Sequence, residues 1–255
     1  MLFKIKFFIK YIILLSIFTT NSVFAEEQDI TFDDGSSYIG NVANGDMHGK
    51  GIFKSKKDKF DKQLIYSGEF KEGKFNGLGQ LDFYNGDSYI GSFKNGFMHG
   101  SGVLIYKNGA EYKGIFNKSN KEGKGKLVYI DGVIYEGEFK NDKIEGLGKI
   151  IFEQGNEYQG EFLNNLMHGK GNITFKDGSS YKGDFIKGQY YGFGVFIFPD
   201  GTFYKGEFKD GYRDGSGEIV YIDSTKQSGN FKNGNFVGET TITFPDGTIQ
   251  KQKAK

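Results

Sequence analysis

The sequence predicts an all-β fold, an elongated single-layer array of antiparallel β-hairpins. Three observations predict it. First, a 23-residue period runs through Tyr66, Tyr89, Tyr112, Tyr135, Tyr158, Tyr181 and Tyr204. A period of this size is the signature of a repeat architecture. Second, apolar and polar residues alternate within each period, as they do on a half-buried strand. Third, Asn-Gly and Asp-Gly dipeptides punctuate the strand ends, and these are the strongest short hairpin signals.

The first 25 residues stand outside the period. Lys4, Lys6 and Lys10 precede the apolar run Tyr11–Phe18, and Val23-Phe24-Ala25 lies just before Glu26-Glu27. This is the pattern of a secretory signal peptide. Its apolar stretch is shorter than the ~20 residues a membrane span needs. Residues 1–25 are therefore expected to be removed, leaving an extracytoplasmic protein, periplasmic or secreted, that begins near Glu26. Retention as an anchor is the alternative. Losing three lysines takes the formal charge from +1 to −2. A near-neutral chain has no polyanion-binding footprint, so nucleic acid is not an expected partner. The chain has no cysteine, which excludes a disulfide framework.

The repeat array is expected over residues 26–250. Phe32 opens it as a half-repeat. Repeats then start near residues 38, 66, 89, 112, 135, 158, 181, 204 and 227. Tyr38 stands five residues out of step, which the Lys/Asp-rich insertion Lys54–Gln63 explains as a longer hairpin tip. In the repeat that begins at Tyr112, Tyr112, Gly114 and Phe116 share one strand face. A connection then leads to Gly123-Lys124-Gly125, which opens the second strand. Asp131-Gly132 turns into the next repeat and is expected to form a type I′ turn. So are Asp34-Gly35, Asn85-Gly86, Asn108-Gly109, Asp177-Gly178, Asp200-Gly201 and Asp246-Gly247. The connection within each repeat carries a similar dipeptide, such as Asn44-Gly45 or Asn95-Gly96. Ser119, Asp142 and Asn165 stand where glycine is missing there. One inner row holds Leu81, Leu104, Leu127, Ile150, Ile173, Phe196, Ile219 and Ile242. A second, two residues on, holds Phe83, Tyr106, Tyr129, Phe152, Phe175, Phe198, Tyr221 and Phe244. The strand glycines leave room for rings to lie across the backbone, and the sheet is expected to curve around this aromatic face. Residues 251–255 form a short polar tail.

Tyr-x-Gly-x-Phe followed by Gly-x-Gly, with Met-His-Gly variants, resembles the MORN (membrane occupation and recognition nexus) repeat over nearly all of residues 28–250. The first copy departs at Val42, and the last at Gln227 and Thr240. Such decay suits capping units. The resemblance implies an elongated array with a grooved cross-section, and family members often pair into dimers, so a homodimer is one expectation. Nine repeats would extend roughly 85 Å.

The spacing argues against chemistry. His48, His99 and His168 recur at one repeat position, which puts them roughly 20 and 30 Å apart, too far to share a metal. Glu69, Glu138, Glu161, Asp184 and Glu207 form one row, as expected of a solvated ladder. Gly-x-Gly lies between strands and not before a helix, so it is not a phosphate loop. No catalytic, metal or cofactor-binding residue is expected. The repeats run to Gly247, so an enzymatic domain is not expected either.

Two surfaces are candidates for binding. Lys71, Lys94, Lys140, Lys209 and Lys232 form a row that could face anionic phospholipid, or could be balanced by the acidic row beside it. The within-repeat connections carry Met47, Phe75, Phe97, Met98, Ile144, Leu166, Met167, Tyr190, Tyr191, Tyr212 and Phe236. These either close the core or form an exposed apolar edge that meets a partner. The expected function is a non-catalytic exported scaffold for protein–protein interaction, acting through its extended β surface or loop edge. The alternative is a peripheral membrane-binding module. An accessory subunit of an enzyme complex is a third reading.

Overall fold

The computed structural model describes residues 27–254. The expected signal peptide lies outside the described residues. Strand β1 (Glu27–Thr31) is followed by nine hairpins. They pair β2 (Ser37–Ala43) with β3 (Asp46–Lys54), β4 (Ile65–Lys71) with β5 (Lys74–Asp82), and β6 (Ser88–Lys94) with β7 (Phe97–Ile105). Next come β8 (Glu111–Asn117) with β9 (Asn120–Val128), β10 (Ile134–Lys140) with β11 (Lys143–Ile151), and β12 (Glu157–Leu163) with β13 (Leu166–Thr174). The last three pair β14 (Ser180–Ile186) with β15 (Gln189–Ile197), β16 (Phe203–Lys209) with β17 (Tyr212–Val220), and β18 (Lys226–Lys232) with β19 (Asn235–Thr243). Strand β20 (Ile249–Lys253) closes the series. Every strand pairs antiparallel with its chain neighbours, from β1 on β2 to β19 on β20, in one 20-stranded sheet. At ~4.8 Å per strand the array runs roughly 90 Å.

The period is built around a ring seated on a glycine pair. In the repeat starting at Tyr158, Gly160 and Gly171 are direct partners across β12 and β13. The fully buried Tyr158 ring lies over them. A Cβ on Gly171 would stand 2.5 Å from ring atom Cε2, and one on Gly160 would stand 2.6 Å from the Gly171 Cα. No side chain fits either place. The Tyr158 hydroxyl donates to the Glu161 carbonyl at 2.9 Å, so the buried polar tip is satisfied. Eight tyrosines, Tyr38 to Tyr204, make the same hydrogen bond to the carbonyl three residues on.

Each tyrosine from Tyr66 to Tyr204 also meets two phenylalanines edge-on, one from its own repeat and one from the next, while Tyr38, whose repeat has Val42 in that place, meets Phe70 of the next. Tyr158 stands 5.1 Å from Phe162 and 5.0 Å from Phe185. Edge-to-face rings at this separation are attractive beyond their buried area. The contacts link without a gap from Tyr38 to Phe231. This aromatic ladder is the spine of the core, and most of the two apolar rows flank it, but Tyr129 and Tyr221 of the second row, expected to face inward, are exposed.

The expected inner connection is not a loop. It is strand on both sides of a two-residue turn, followed by a bulge. Asn95 (φ 53°) and Gly96 (φ 87°) are both left-handed, which is the type I′ geometry. Glu161 then pairs with His168 while Gly160 pairs with Gly171, so Gly169 and Lys170 are extra on β13. The acidic row closes these bulges and is not simply solvated. Glu161 accepts the Lys170 backbone N–H at 2.9 Å, and Glu69 and Glu207 accept those of Leu78 and Ser216 at 3.3 Å.

Between repeats the geometry differs from expectation. Only one residue there has positive φ, a glycine as at Gly178 (φ 89°) or, between β17 and β18, Ser224 (φ 68°). Phe175 N–H donates to the Ser179 carbonyl and Gly178 N–H to the Phe175 carbonyl. This is a three-residue loop with its last residue left-handed. Asp177 Oδ1 accepts the Ser179 N–H at 2.9 Å, which is why Asp or Asn precedes the glycine.

Neighbouring repeats are joined at the type I′ turns. The second turn residue donates its N–H to the preceding repeat, as Gly96 does to Phe75 at 2.9 Å. Where glycine is missing, the side chain adds a second link. Ser119, Asp142 and Asn165 accept the N–H groups of Met98, Lys121 and Ile144 at 3.2, 2.9 and 2.8 Å. That hydrogen bond offsets the left-handed backbone each adopts.

The last repeat solves the ring-and-glycine problem in reverse. Gln227 replaces the tyrosine, and Thr240 fills the vacated space, with its side chain buried. Gln227 Nε2 donates to Thr240 Oγ1 at 3.3 Å. The insertion Lys54–Gln63 is a longer tip, as expected, closed by Ser55 N–H to Leu64 O and carrying the exposed Phe60.

Candidate interaction surfaces

The eleven apolar residues expected at the loop edge lie on strands, and the sheet sorts them. Met47, Phe75, Met98, Ile144, Met167, Tyr190 and Phe236 occupy the second position after a type I′ turn and pack into the core. Phe75 and Tyr190 stack on the tyrosines of their own repeats at 3.9 Å. The other four face solvent, with Phe97 51% and Tyr212 60% exposed, alongside Leu166 and Tyr191. Most of the apolar edge is therefore core, because alternation buries every second residue that leaves the turn.

The five candidate lysines, Lys71, Lys94, Lys140, Lys209 and Lys232, are exposed on the opposite face from the rings. Register joins them to the exposed apolar residues. Lys94 is the direct partner of Phe97, and Lys209 of Tyr212, while Leu163 faces Leu166. What looks like two surfaces in sequence is one mixed strip in the structure. Two of its lysines are ion-paired, Lys140 with Glu145 at 3.4 Å and Lys232 with Asp214 at 3.0 Å. Lys232 holds the Asp214 carboxyl below the usual carboxylate range. The histidines His48, His99 and His168 lie on three separate strands.

Two cations occupy the core row that Met, Ile144 or aromatics fill elsewhere. Lys121 lies over the rings of Tyr106 and Tyr112 and stands 3.6 Å from Asp142. Arg213 lies 5.5 Å from the Tyr204 ring and 5.1 Å from that of Phe231, and donates to the Gly234 carbonyl at 2.6 Å. Burial lowers its guanidinium below the ordinary value. Both use ring faces to replace lost water.

The face opposite the rings carries a feature that the sequence reading missed. A groove of about 1190 Å³ crosses β6 to β12. Ile90, Val103, Ile115 and Leu147 give it apolar walls, and Lys113, Lys124, Lys126 and Lys149 stand among them with Glu136 and Glu138. Its floor is the backbone of the glycine pairs, Gly91–Gly102 through Gly137–Gly148. The same glycines that seat the tyrosines on one side thus leave a channel on the other. The sheet was expected to curve around its aromatic face. The outer residues at single positions change type from repeat to repeat, so no period marks the groove.

The MORN repeat model matches residues 38–58, 66–88, 89–111, 112–134, 135–157, 158–180, 181–203, 204–226 and 228–249. The chain belongs to the MORN repeat family. The nine matches start within a residue of the expected repeats. No curated protein matches the chain. Among solved structures, the wild-type TCP10 domain of Danio rerio CPAP is similar at 15% identity and a TM-score of 0.44, over 89% of this chain and all of that one. The SAS-4 (dCPAP) TCP domain of Drosophila melanogaster, solved with a proline-rich motif of Ana2, is similar at 17% identity and a TM-score of 0.41. That likeness covers 60% of this chain and 84% of the other. Virginiamycin B lyase from Staphylococcus aureus matches at 14% identity and a TM-score of 0.16, over 89% of this chain and 69% of that one.

Proposed function

We propose that this MORN array is a non-catalytic, exported scaffold that binds protein across its outer sheet face. The groove over β6 to β12 carries the reading. It offers apolar side chains, Leu147 being 63% exposed, beside lysines and uncovered glycine backbone. An exposed apolar patch rimmed by polar groups is the usual mark of a protein contact. The test places a photo-crosslinking amino acid at Leu147 in the full chain within its native envelope. One discrete adduct is expected, lost when Ile115→Asp and Val103→Asp are added. No adduct, or one indifferent to both substitutions, overturns the reading.

A second reading, peripheral binding to anionic phospholipid, is favoured by the mixed strip in which Lys94 and Lys209 adjoin Phe97 and Tyr212. Basic residues near a membrane contribute about 1 kcal/mol each. Co-sedimentation with vesicles of phosphatidylserine and phosphatidylcholine at low salt tests it. Binding is expected to fall in Lys94→Glu/Lys209→Glu. Absence of binding by the unaltered chain removes this reading.

A further inference from the structure

We propose that Arg213 and the pocket beside it bind a monocarboxylate carried on an apolar group. Arg213 is the one arginine among the chain's 33 lysines and arginines. It stands in the core row where other repeats place residues such as Met98, Ile144 and Tyr190. Lys121, the other cation of that row, is the internal comparison. Its ammonium has a counterion, Asp142, at 3.6 Å. Asp142 lies 21 residues on, and the same step from Arg213 reaches Gly234, which has no carboxylate to offer. The guanidinium donates to the Gly234 backbone carbonyl at 2.6 Å instead. The adjacent Asp214 is held by Lys232 at 3.0 Å. Among the described residues no carboxylate stands within ion-pair distance of Arg213. Burial disfavours its charge, yet an arginine does not shed that charge by deprotonating. Repeat eight therefore carries a positive charge that its own chain leaves uncompensated.

A pocket of about 530 Å³ opens beside this guanidinium. Phe198, Pro199, Ile219 and Tyr221 give it apolar walls, and Asp200 and Thr202 complete the lining. Ile219 and Tyr221 belong to the two rows on the ring side of the sheet, so the site does not depend on the outer groove. A guanidinium has five N–H donors in a planar fork, and the bond to Gly234 uses one of them. Among the described residues no buried side-chain nitrogen lacks a partner, so the unused donors are open to solvent.

That combination selects a chemistry. The arginine fork matches the two oxygens of a carboxylate. The apolar walls suit a hydrocarbon or ring behind it. Asp200 turns its oxygens to Thr202, accepting the backbone N–H at 2.9 Å and the hydroxyl at 3.2 Å. A second negative charge on the ligand would face Asp200, so a monocarboxylate fits better than phosphate or a dicarboxylate. A free acid and a peptide C-terminus both carry this chemistry.

The single arginine also supplies the readout. Nuclear magnetic resonance of the nitrogen-labelled full chain shows one arginine Nε–Hε signal, which is that of Arg213. Titration with hydrocinnamate is expected to shift it saturably. The neutral hydrocinnamide, and inorganic phosphate at equal ionic strength, should leave it in place. The tripeptide Gly-Gly-Phe is titrated in parallel with a free and an amidated C-terminus. Tighter binding of hydrocinnamate makes a free acid the source, and tighter binding of the free-ended peptide makes it a protein terminus. Either supports the site. Calorimetry reads the variants. Arg213→Lys keeps the charge but loses the fork, and should bind roughly tenfold more weakly. Arg213→Met restores an ordinary residue type of the row, so it should abolish binding while the melting temperature holds. A signal unmoved by both carboxylates overturns the proposal. So does a shift matched by the amide or by phosphate, or binding retained in folded Arg213→Met.

Discussion

Replacing Gly171 with threonine in the Tyr158 repeat tests whether the ring and the glycine are one unit. A Cβ there would stand 2.5 Å from both Cε2 and the hydroxyl of Tyr158. The ring cannot retreat, because Phe162 and Phe185 hold it at 5.1 and 5.0 Å. Overpacking of this kind costs ~3 kcal/mol or more. Tyr158→Gln alone removes a buried ring of about 200 Å², worth roughly 5 kcal/mol at about 25 cal/mol per Å². Part of that is kept by the glutamine stem, leaving a cost of about 3–4 kcal/mol. The last repeat already carries both changes, with Thr240 buried where the ring would lie and bonded by Gln227. The double variant should therefore lose less than the two single costs combined, by about 1–3 kcal/mol. Urea midpoints give the global figure. Because repeat arrays need not unfold in one step, hydrogen exchange over residues 157–174 gives the local one. Strictly additive costs would refute the coupling and with it the account of the period.

Three further outcomes follow from the same contacts. Lys121→Met places the ordinary residue type of that row between Met98 and Ile144, so stability should hold or rise by up to ~1 kcal/mol, read by thermal melting. Asn165→Ala loses the acceptor for the Ile144 N–H while keeping a left-handed backbone. It should cost about 2 kcal/mol, and Asn165→Gly should cost less, as measured by urea unfolding. Burial pushes the Tyr89, Tyr112, Tyr158 and Tyr204 hydroxyls up to about 12. A raised tyrosine pKa stabilises the fold below pH ~10, the unfolded value, and that stability is lost as pH climbs toward 12. Absorbance at 295 nm should show exposed tyrosines ionising first and the core set only as the circular dichroism signal disappears.

The periodic part of this fold was legible because its cause is local and repeated. A ring that needs two glycines beneath it writes Tyr-x-Gly and Gly-x-Gly at fixed spacing, and both apolar rows followed from that. The bulge was hidden because Gly169 and Lys170 sit inside the Gly-x-Gly segment that looks like plain strand. The between-repeat turns were expected to be type I′ because Asn-Gly and Asp-Gly read alike as dipeptides. What separates them is the partner of the side chain, as when Asp177 accepts from Ser179. The apolar edge was misread for a related reason. Once the turn is only two residues long, Met98 and Ile144 are already in the strand and face inward. The groove left no trace, since glycine backbone lines it and the side chains around it vary from copy to copy.

The hydrogen bond from each type I′ turn to the repeat before it makes every seam between repeats chemically alike. Length is consequently a free variable in this design. Excising residues 112–134 would bring Glu111 against Tyr135, a junction with the same ring, glycine pair and turn as the one removed. The rod would shorten by about 9–10 Å while the rest of its surface stayed in phase. Gene-level gain or loss of whole units can thus set reach, as marks on a ruler do, without touching how any one unit folds.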